Sequence, residues 1–255
     1  MTFRIAFLNL EQDLKRWEER RFLITQQLEK LNPDVFAMNE VSVRSQTGRW
    51  LQREASRLTG KRFALAQQSK SNGGSRIEGE GVLTRFPIVE TANFDYCTHD
   101  YVALVVRMEV EERLIDVYVT HLFMSRGDES LRVFQVKSLL EWIESRGDAD
   151  AQIVCGDFNA SPDKPAAQLM AKTFRQTQSS PTAFSPLADV DGTISHPYWE
   201  RFDRSIDYIW TRGPLECINS AVCFNEPDAC DGTLWPSDHA GLWADLQWSL
   251  NPDVE

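Results

Sequence analysis

The chain is poor in the features that announce most function classes. No apolar run approaches the ~20 residues needed to span a bilayer, and "MTFRIAFLNLEQ" carries no basic lead, long apolar stretch or small-residue cleavage site, which argues against a secretory leader. Its five cysteines are an odd count without CxxC or His-paired spacing, so they read as reduced thiols of a cytosolic protein instead of a zinc site or disulfide framework. No GxxxxGK[ST] phosphate loop, GxSxG elbow or GxGxxG fingerprint occurs. There is no internal repeat, low-complexity tract or linker. Basic charge is also short: 27 Lys and Arg against 38 Asp and Glu leave a net charge of −11. Such a balance excludes a protein that coats duplex DNA by charge alone. It does not exclude an enzyme whose locally basic rim and bound divalent cations handle nucleic acid.

What remains is an ordinary globular composition, 42% hydrophobic and 25% charged over 255 residues, enough for a sizeable core. Short apolar segments recur: "FRIAFLN", "DVFAMNEV", "GVLTRFPIV", "YVALVVRMEV", "RLIDVYVTHL", "AQIVCGDF", "RSIDYIW" and "GLWADLQW". Several are apolar on both alternating faces, as strands covered on each side are. In 113–122, Ile115, Val117 and Val119 alternate with Asp116, Tyr118 and Thr120. Helical spacing appears in 13–31, stopped by Asn32-Pro33-Asp34, and in 128–146, stopped by Arg146-Gly147. A third helix is expected after a Ser161 cap and Pro162. The stretch 67–76 reads as a loop and 176–204 as a long connection of the kind that often carries function. The pattern is one α/β domain over residues 1–255, with a core from about 3 to 248.

The strand ends carry the chemistry. Asn9 closes the first apolar segment, Glu40 the second and His121 the fifth, while "IVCGDFNASP" delivers Asp157 and Asn159. Asp207 lies inside "SIDYIW", and Asp238-His239 precede the last strand. Any one of these is more often a turn, a cap or a solvated edge. A carboxylate between Ile206 and Tyr208, however, demands a partner. Converging, the carboxylates offer hard oxygen ligands suited to Mg²⁺ or Mn²⁺ and not to Zn²⁺. The histidines, lacking ligand spacing, read as phosphate contacts. The inventory fits metal-assisted attack of water on a phosphoester. His99 and His196 lack comparable settings and read as structural, and Cys155 as a small core residue.

The blocks "AFLNLE", "PDVFAMNEV", "GEGVLTRFPI", "VYVTHL", "IVCGDFNASP", "RSIDYIW" and "PSDHAGLWADL" together resemble the endonuclease/exonuclease/phosphatase superfamily. They stand in that family's order along nearly the whole chain. GDxN with a late SDH is the specific pair, and "RFDR" and "PSDHAGL" look closest to the tyrosyl-DNA phosphodiesterase 2 and deadenylase-like branches. The resemblance implies a four-layer α/β sandwich, two packed mixed β-sheets flanked by helices around one groove. It implies Glu40 as principal Mg²⁺ ligand, with Asn9 beside the metal and Asp238 near it, and Mn²⁺ as a substitute. Asp157 would orient or deprotonate the attacking water and Asn159 would hold water and phosphate. His239, fixed by Asp207, and His121 would contact the scissile phosphate. One departure stands out: the family usually has Gln before that Glu, and here Asn39 takes its place.

The substrate expected is a phosphodiester in single-stranded or terminal nucleic acid. Tyr198 and Trp199 are candidates to stack on it, and Arg204, with Arg201 and Arg212 around the Asp207 strand, to hold its phosphates. The alternative is an inositol phosphate or a phospholipid head group such as sphingomyelin, for which "HPYW" would be the docking element. A monomer without an obligate protein partner is expected.

Overall fold

The computed structural model describes residues 1–249 except 12, 70–77, 125–126, 148, 195 and 198–200. Among the described residues the order is β1 (Thr2–Asn9), α1 (Trp17–Leu31), β2 (Val35–Asn39), α2 (Thr47–Thr59), β3 (Ala64–Ser69), β4 (Gly79–Thr84), β5 (Ile88–Asp95), β6 (Val102–Val110), β7 (Arg113–His121), α3 (Ser130–Arg146), β8 (Ala151–Asp157), α4 (Pro165–Met170), β9 (Arg175–Gln176), β10 (Asp207–Arg212), β11 (Leu215–Cys223) and β12 (Gly241–Trp248). The strands form two six-stranded sheets, ordered β11-β12-β1-β2-β4-β3 and β5-β6-β7-β8-β10-β9. Each is mixed: β1–β2 and β7–β8 are the parallel pairs within otherwise antiparallel ladders.

Side-chain alternation builds four layers. Phe3, Ile5 and Phe7 of β1 point into the core between the sheets, against Val117, Val119, Ile153, Cys155 and Ile209. Ala6 and Leu8 point the other way, onto Trp17, Ile24 and Leu28 of α1 and Leu51 and Ala55 of α2. Tyr118, Val154 and Trp210 meet Val136, Leu139 and Ile143 of α3 and Ala166 and Met170 of α4. The sandwich that the resemblance implied is therefore the fold, and Cys155 is a core residue.

Several local expectations are corrected. The alternation in β7 does not expose a polar face: Asp116 is buried and chelated by Arg107 Nε and Nη2 at 2.7 and 2.9 Å beneath the end of α3. The segment 81–89 is not one strand. β4 ends at Thr84, and β5 begins at Ile88 in the other sheet. Ser161 and Pro162 do not start a helix; α4 starts at Pro165, whose fixed φ suits the first turn and whose missing N–H costs nothing there. Of the expected 67–76 loop, 67–69 pair in β3 and the rest lies outside the described residues.

Register positions the site. Asn9 sits level with Asn39 across β1–β2, and Asp157 is level with His121 on one side and Asp207 on the other. Gly156 makes the second alignment possible: a Cβ there would lie 1.9 Å from the Thr120 carbonyl oxygen, so only glycine lets β8 lie flush beside β7.

Candidate active site

The two sheets bring their polar ends together, and side chains span the gap. Asn39 Oδ1, on the first sheet, accepts the Asp157 backbone N–H of the second at 2.8 Å. Asn39 Nδ2 donates to Glu80. Asn39, standing where the family usually has Gln, thus uses both ends of its amide. Asn9 Nδ2 donates to Glu40 Oε1 at 2.9 Å and lies 3.4 Å from Asp157 Oδ2. Its Oδ1 accepts the Glu11 N–H at 3.1 Å.

Asp157 is the centre. Its Oδ1 accepts the Asn159 N–H at 2.8 Å, a turn that places Asn159 in the left-handed region at φ 48°. Its Oδ2 lies 3.6 Å from His121 Nε2 and 3.8 Å from His239 Nε2. Asn159 Nδ2 lies 3.1 Å from that same His121 nitrogen and donates to the Leu122 carbonyl at 2.9 Å. His121 Nδ1 faces Glu40 Oε1 at 3.6 Å. Asp207 finds the partner that its apolar setting demanded: its Oδ2 accepts from His239 Nδ1 at 2.9 Å and from Thr182 Oγ1 at 2.5 Å.

The loop bearing Asp238 and His239 is tied down from two directions. Ser237 Oγ donates to the Asn9 carbonyl at 2.6 Å. Arg20, fully buried, donates through Nη1 to the carbonyls of Leu10 at 2.6 Å and Pro236 at 3.0 Å. The Ser237 tie is made by the first residue of the SDH motif, whereas Arg20 reads in the sequence as one more charge on a helix. The 176–204 connection supplies the other buttress. Ala183 pairs with His239 and Arg204, and Ser185 N donates to the Asp238 carbonyl at 2.7 Å. His196, expected to be structural, stands at the site: its Nε2 is 3.1 Å from Asp238 Oδ2, and its ring stacks on Phe184 at 3.7 Å. Its signal was its place in that long connection.

The arginines divide. Arg204 is exposed at the site's rim, three residues before Asp207. Arg201 packs on Trp235 at 4.2 Å. Arg212 lies at the far end of β10, bonded to Gln152 and Glu144, away from the site. Tyr198 and Trp199 fall outside the described residues.

Crowded, buried negative charge dominates the electrostatics. Burial, then the charges of Glu78 and Asp238, push Glu40 well above the ordinary carboxylate value. Burial and the neighbouring Asp207 lift Asp157 to about 7. Asp238 would be lifted by burial, but His239, His196 and Arg20 hold it below its ordinary value. Burial opposes a charge on His239; Asp207, Asp238 and Asp157 outweigh it and raise its pKa well above 6.5. Glu78, buried and unmarked by any motif, belongs to this cluster as well.

The donor set fits a hard divalent cation. Carboxylates that raise one another's pKa carry an excess of buried negative charge that such a cation neutralises. A separate grouping, Asp157, Asp207 and His239, has potential ligand atoms within 4.8 Å of one another. There the short Nδ1–Oδ2 contact engages the Asp207 oxygen and the imidazole with each other. Asn9, Glu40 and Asp238 form an oxygen-rich corner beside it, where Asn9 bonds Glu40 at 2.9 Å and the Asp238 charge acts on Glu40.

A four-layer sandwich whose sheet ends gather carboxylates, amides and imidazoles in this way defines a hydrolase of phosphate esters. The chain belongs to the Endonuclease/Exonuclease/phosphatase family, which it matches over residues 1–239. It is 26% identical to nocturnin of Xenopus laevis over 273 residues, covering 96% of this chain and 69% of that protein. It is 27% identical to human nocturnin, covering 97% of this chain and 62% of that one. The chain therefore spans about two thirds of these relatives' length. Among solved structures it is similar to the human nocturnin catalytic domain with bound sulfate anion, with TM-score 0.73, 25% identity, and coverage of 97% of this chain and 95% of that one. D. rerio TDP2 complexed with single strand DNA product shares the fold, with TM-score 0.75, 17% identity, and coverage of 96% and 99%.

Proposed function

We propose that the chain is a Mg²⁺-dependent phosphodiesterase that cleaves single-stranded or terminal nucleic acid by attack of water. The observation that carries the reading is a buried acid–base pair of opposite character within 3.8 Å. Burial pushes Asp157 up to about 7, while Asp207 raises the His239 pKa well above its ordinary value. Asp157 accepts the proton of the attacking water, which Asn159 helps to hold, so the base titrates near working pH. His239 donates from Nε2 to a phosphoryl oxygen as charge develops, and His121 contacts a second oxygen. Asp207 fixes the His239 tautomer and keeps it charged. Glu40, Asn9 and Asp238 would hold the cation, which would polarise the phosphate and offset its charge. Mn²⁺ substitutes for it.

The nucleic-acid substrate is supported by a fold-mate whose structure holds a single-strand DNA product. The rim position of Arg204 is in keeping with it, with Tyr198 and Trp199 as stacking residues. We propose that the protein works in the cytosol, in keeping with its five free cysteines, and as a monomer. A panel of single-stranded, duplex and abasic oligonucleotides, inositol phosphates and sphingomyelin, assayed in Mg²⁺, tests the reading. Single strands or ends are expected to be cleaved fastest. Trp199→Ala and Arg204→Ala should raise KM for the oligonucleotide with less effect on bis-p-nitrophenyl phosphate. Faster hydrolysis of an inositol phosphate or sphingomyelin than of any oligonucleotide would move the protein to that substrate class.

A further inference from the structure

A ledge of rings leads away from His121 to the surface. The Tyr101 ring meets His121 edge-on at 5.6 Å and Phe123 at 5.6 Å, and Phe123 stacks on His99 at 4.5 Å. His99 is exposed, Phe123 half-buried, and the adjoining Met124 is 67% exposed. Ordinary packing leaves little reason for such a surface. The loop that presents His99 holds three non-glycine residues in the left-handed region, Cys97, His99 and Asp100, at φ 54°, 50° and 62°. That conformation is unfavourable for L-residues and tends to mark functional segments.

The ledge is also braced. Gln135 of α3, fully buried, accepts the Phe123 N–H at 2.8 Å and donates to Thr98 Oγ1 at 3.3 Å, so one side chain holds both halves. Arg132 Nη1 donates to the Phe123 carbonyl at 3.1 Å, and the Met124 N–H to the Tyr101 hydroxyl at 3.3 Å. Its chemistry selects a neutral flat group. The loop 95–101 contains Asp95 and Asp100 and no Lys or Arg, so it repels a phosphate or an anionic membrane while offering ring faces.

We propose that His99 and Phe123, with Tyr101 and Met124, form a stacking subsite for the nucleobase adjoining the scissile phosphate held at His121. The proposal rests on the nucleic-acid reading above and names the residues that make the enzyme sense a base. Base–aromatic stacking is sequence-tolerant, since every base has a π-face. The subsite therefore favours an unstacked, single-stranded nucleotide without choosing among bases.

The test pairs protein variants with a substrate change. His99→Asn keeps a residue that tolerates the left-handed backbone, and Phe123→Leu keeps apolar bulk; both remove a ring. Each is assayed, in DNA and RNA form, on a short single strand with one cleavable phosphodiester and on its counterpart with base-free spacers flanking that bond. In the parent protein, removing the bases should raise KM at least about fivefold, the low end for one stacked base. In the double variant the two substrates should have similar KM, with kcat on the base-free strand unchanged. A 2-aminopurine beside the scissile bond should be quenched on binding the parent protein and not the double variant. If the parent cleaves no oligonucleotide, the nucleic-acid reading falls and the ledge with it. If it cleaves but base removal costs parent and variant equally, the ledge alone falls. Binding to sphingomyelin-containing vesicles that only the variants lose would overturn the proposal in favour of a lipid-facing surface.

Discussion

Replacing Asp207 by Asn tests whether it and His239 act as one unit. The two are joined at 2.9 Å, with side-chain exposures of 4% for His239 and 0% for Asp207, so water does not compete for the bond. His239 owes its raised pKa to neighbouring carboxylates, Asp207 first among them. Asn preserves shape but removes that charge and leaves either ring tautomer acceptable to its amide. His239→Ala should lower kcat at least ~10²-fold, the usual scale for one transition-state contact, equivalent to about 2.7 kcal/mol. Asp207→Asn should lose much of the same, and the double variant should be little worse than His239→Ala. The sign of the pH effect follows from the charge removed. With Asp207 present, His239 stays protonated above its ordinary 6.5. With Asn, the alkaline limb of kcat should move to lower pH by about 1 unit or more. The assay is kcat against pH on bis-p-nitrophenyl phosphate for all four proteins, with urea unfolding to confirm that each folds. Fully additive losses with an unmoved alkaline limb would refute the pairing.

In EDTA, thermal stability should fall as pH rises from 5 to 8. Asp157 and Glu11 have folded pKa values of about 7, above their ordinary values of 3.8 and 4.5. Their contribution is complete at low pH and is lost as pH climbs through 7, each carboxyl losing up to about 1.4 kcal/mol for every pH unit climbed between its ordinary and its folded value. Scanning calorimetry showing a flat or rising midpoint over that range would contradict this. Asn39→Ala should leave the Asp157 N–H without its partner across the sheets, costing about 1–3 kcal/mol in urea unfolding and slowing turnover. A variant of unchanged stability and rate would remove Asn39 from the account.

Much of this was legible in the sequence because the candidate site groups sit where apolar strands stop. Asn9, Glu40, His121 and Asp157 are each conspicuous after a buried run, and register then aligns them. Helix α2, not among the expected helices, buries Thr47, Gly48, Leu51 and Ala55. Strand β11 is a bulged edge strand paired only with β12, and of its residues only Leu215 is buried. Arg20, Glu78 and His196 were missed for another reason. Their roles come from long-range contacts, which spacing along the chain does not encode.

The most direct test of the central claim is turnover of a single-stranded oligonucleotide during Mg²⁺ titration from EDTA, for the parent protein and Glu40→Gln. Glu40 lies at the oxygen-rich corner, bonded to Asn9 and crowded by Glu78 and Asp238. The parent should be inactive in EDTA and restored by Mg²⁺ or Mn²⁺. Glu40→Gln should need far more cation and turn over more slowly while keeping its fold. Undiminished activity in excess EDTA, or restoration by Zn²⁺ bound at cysteines, would contradict the account.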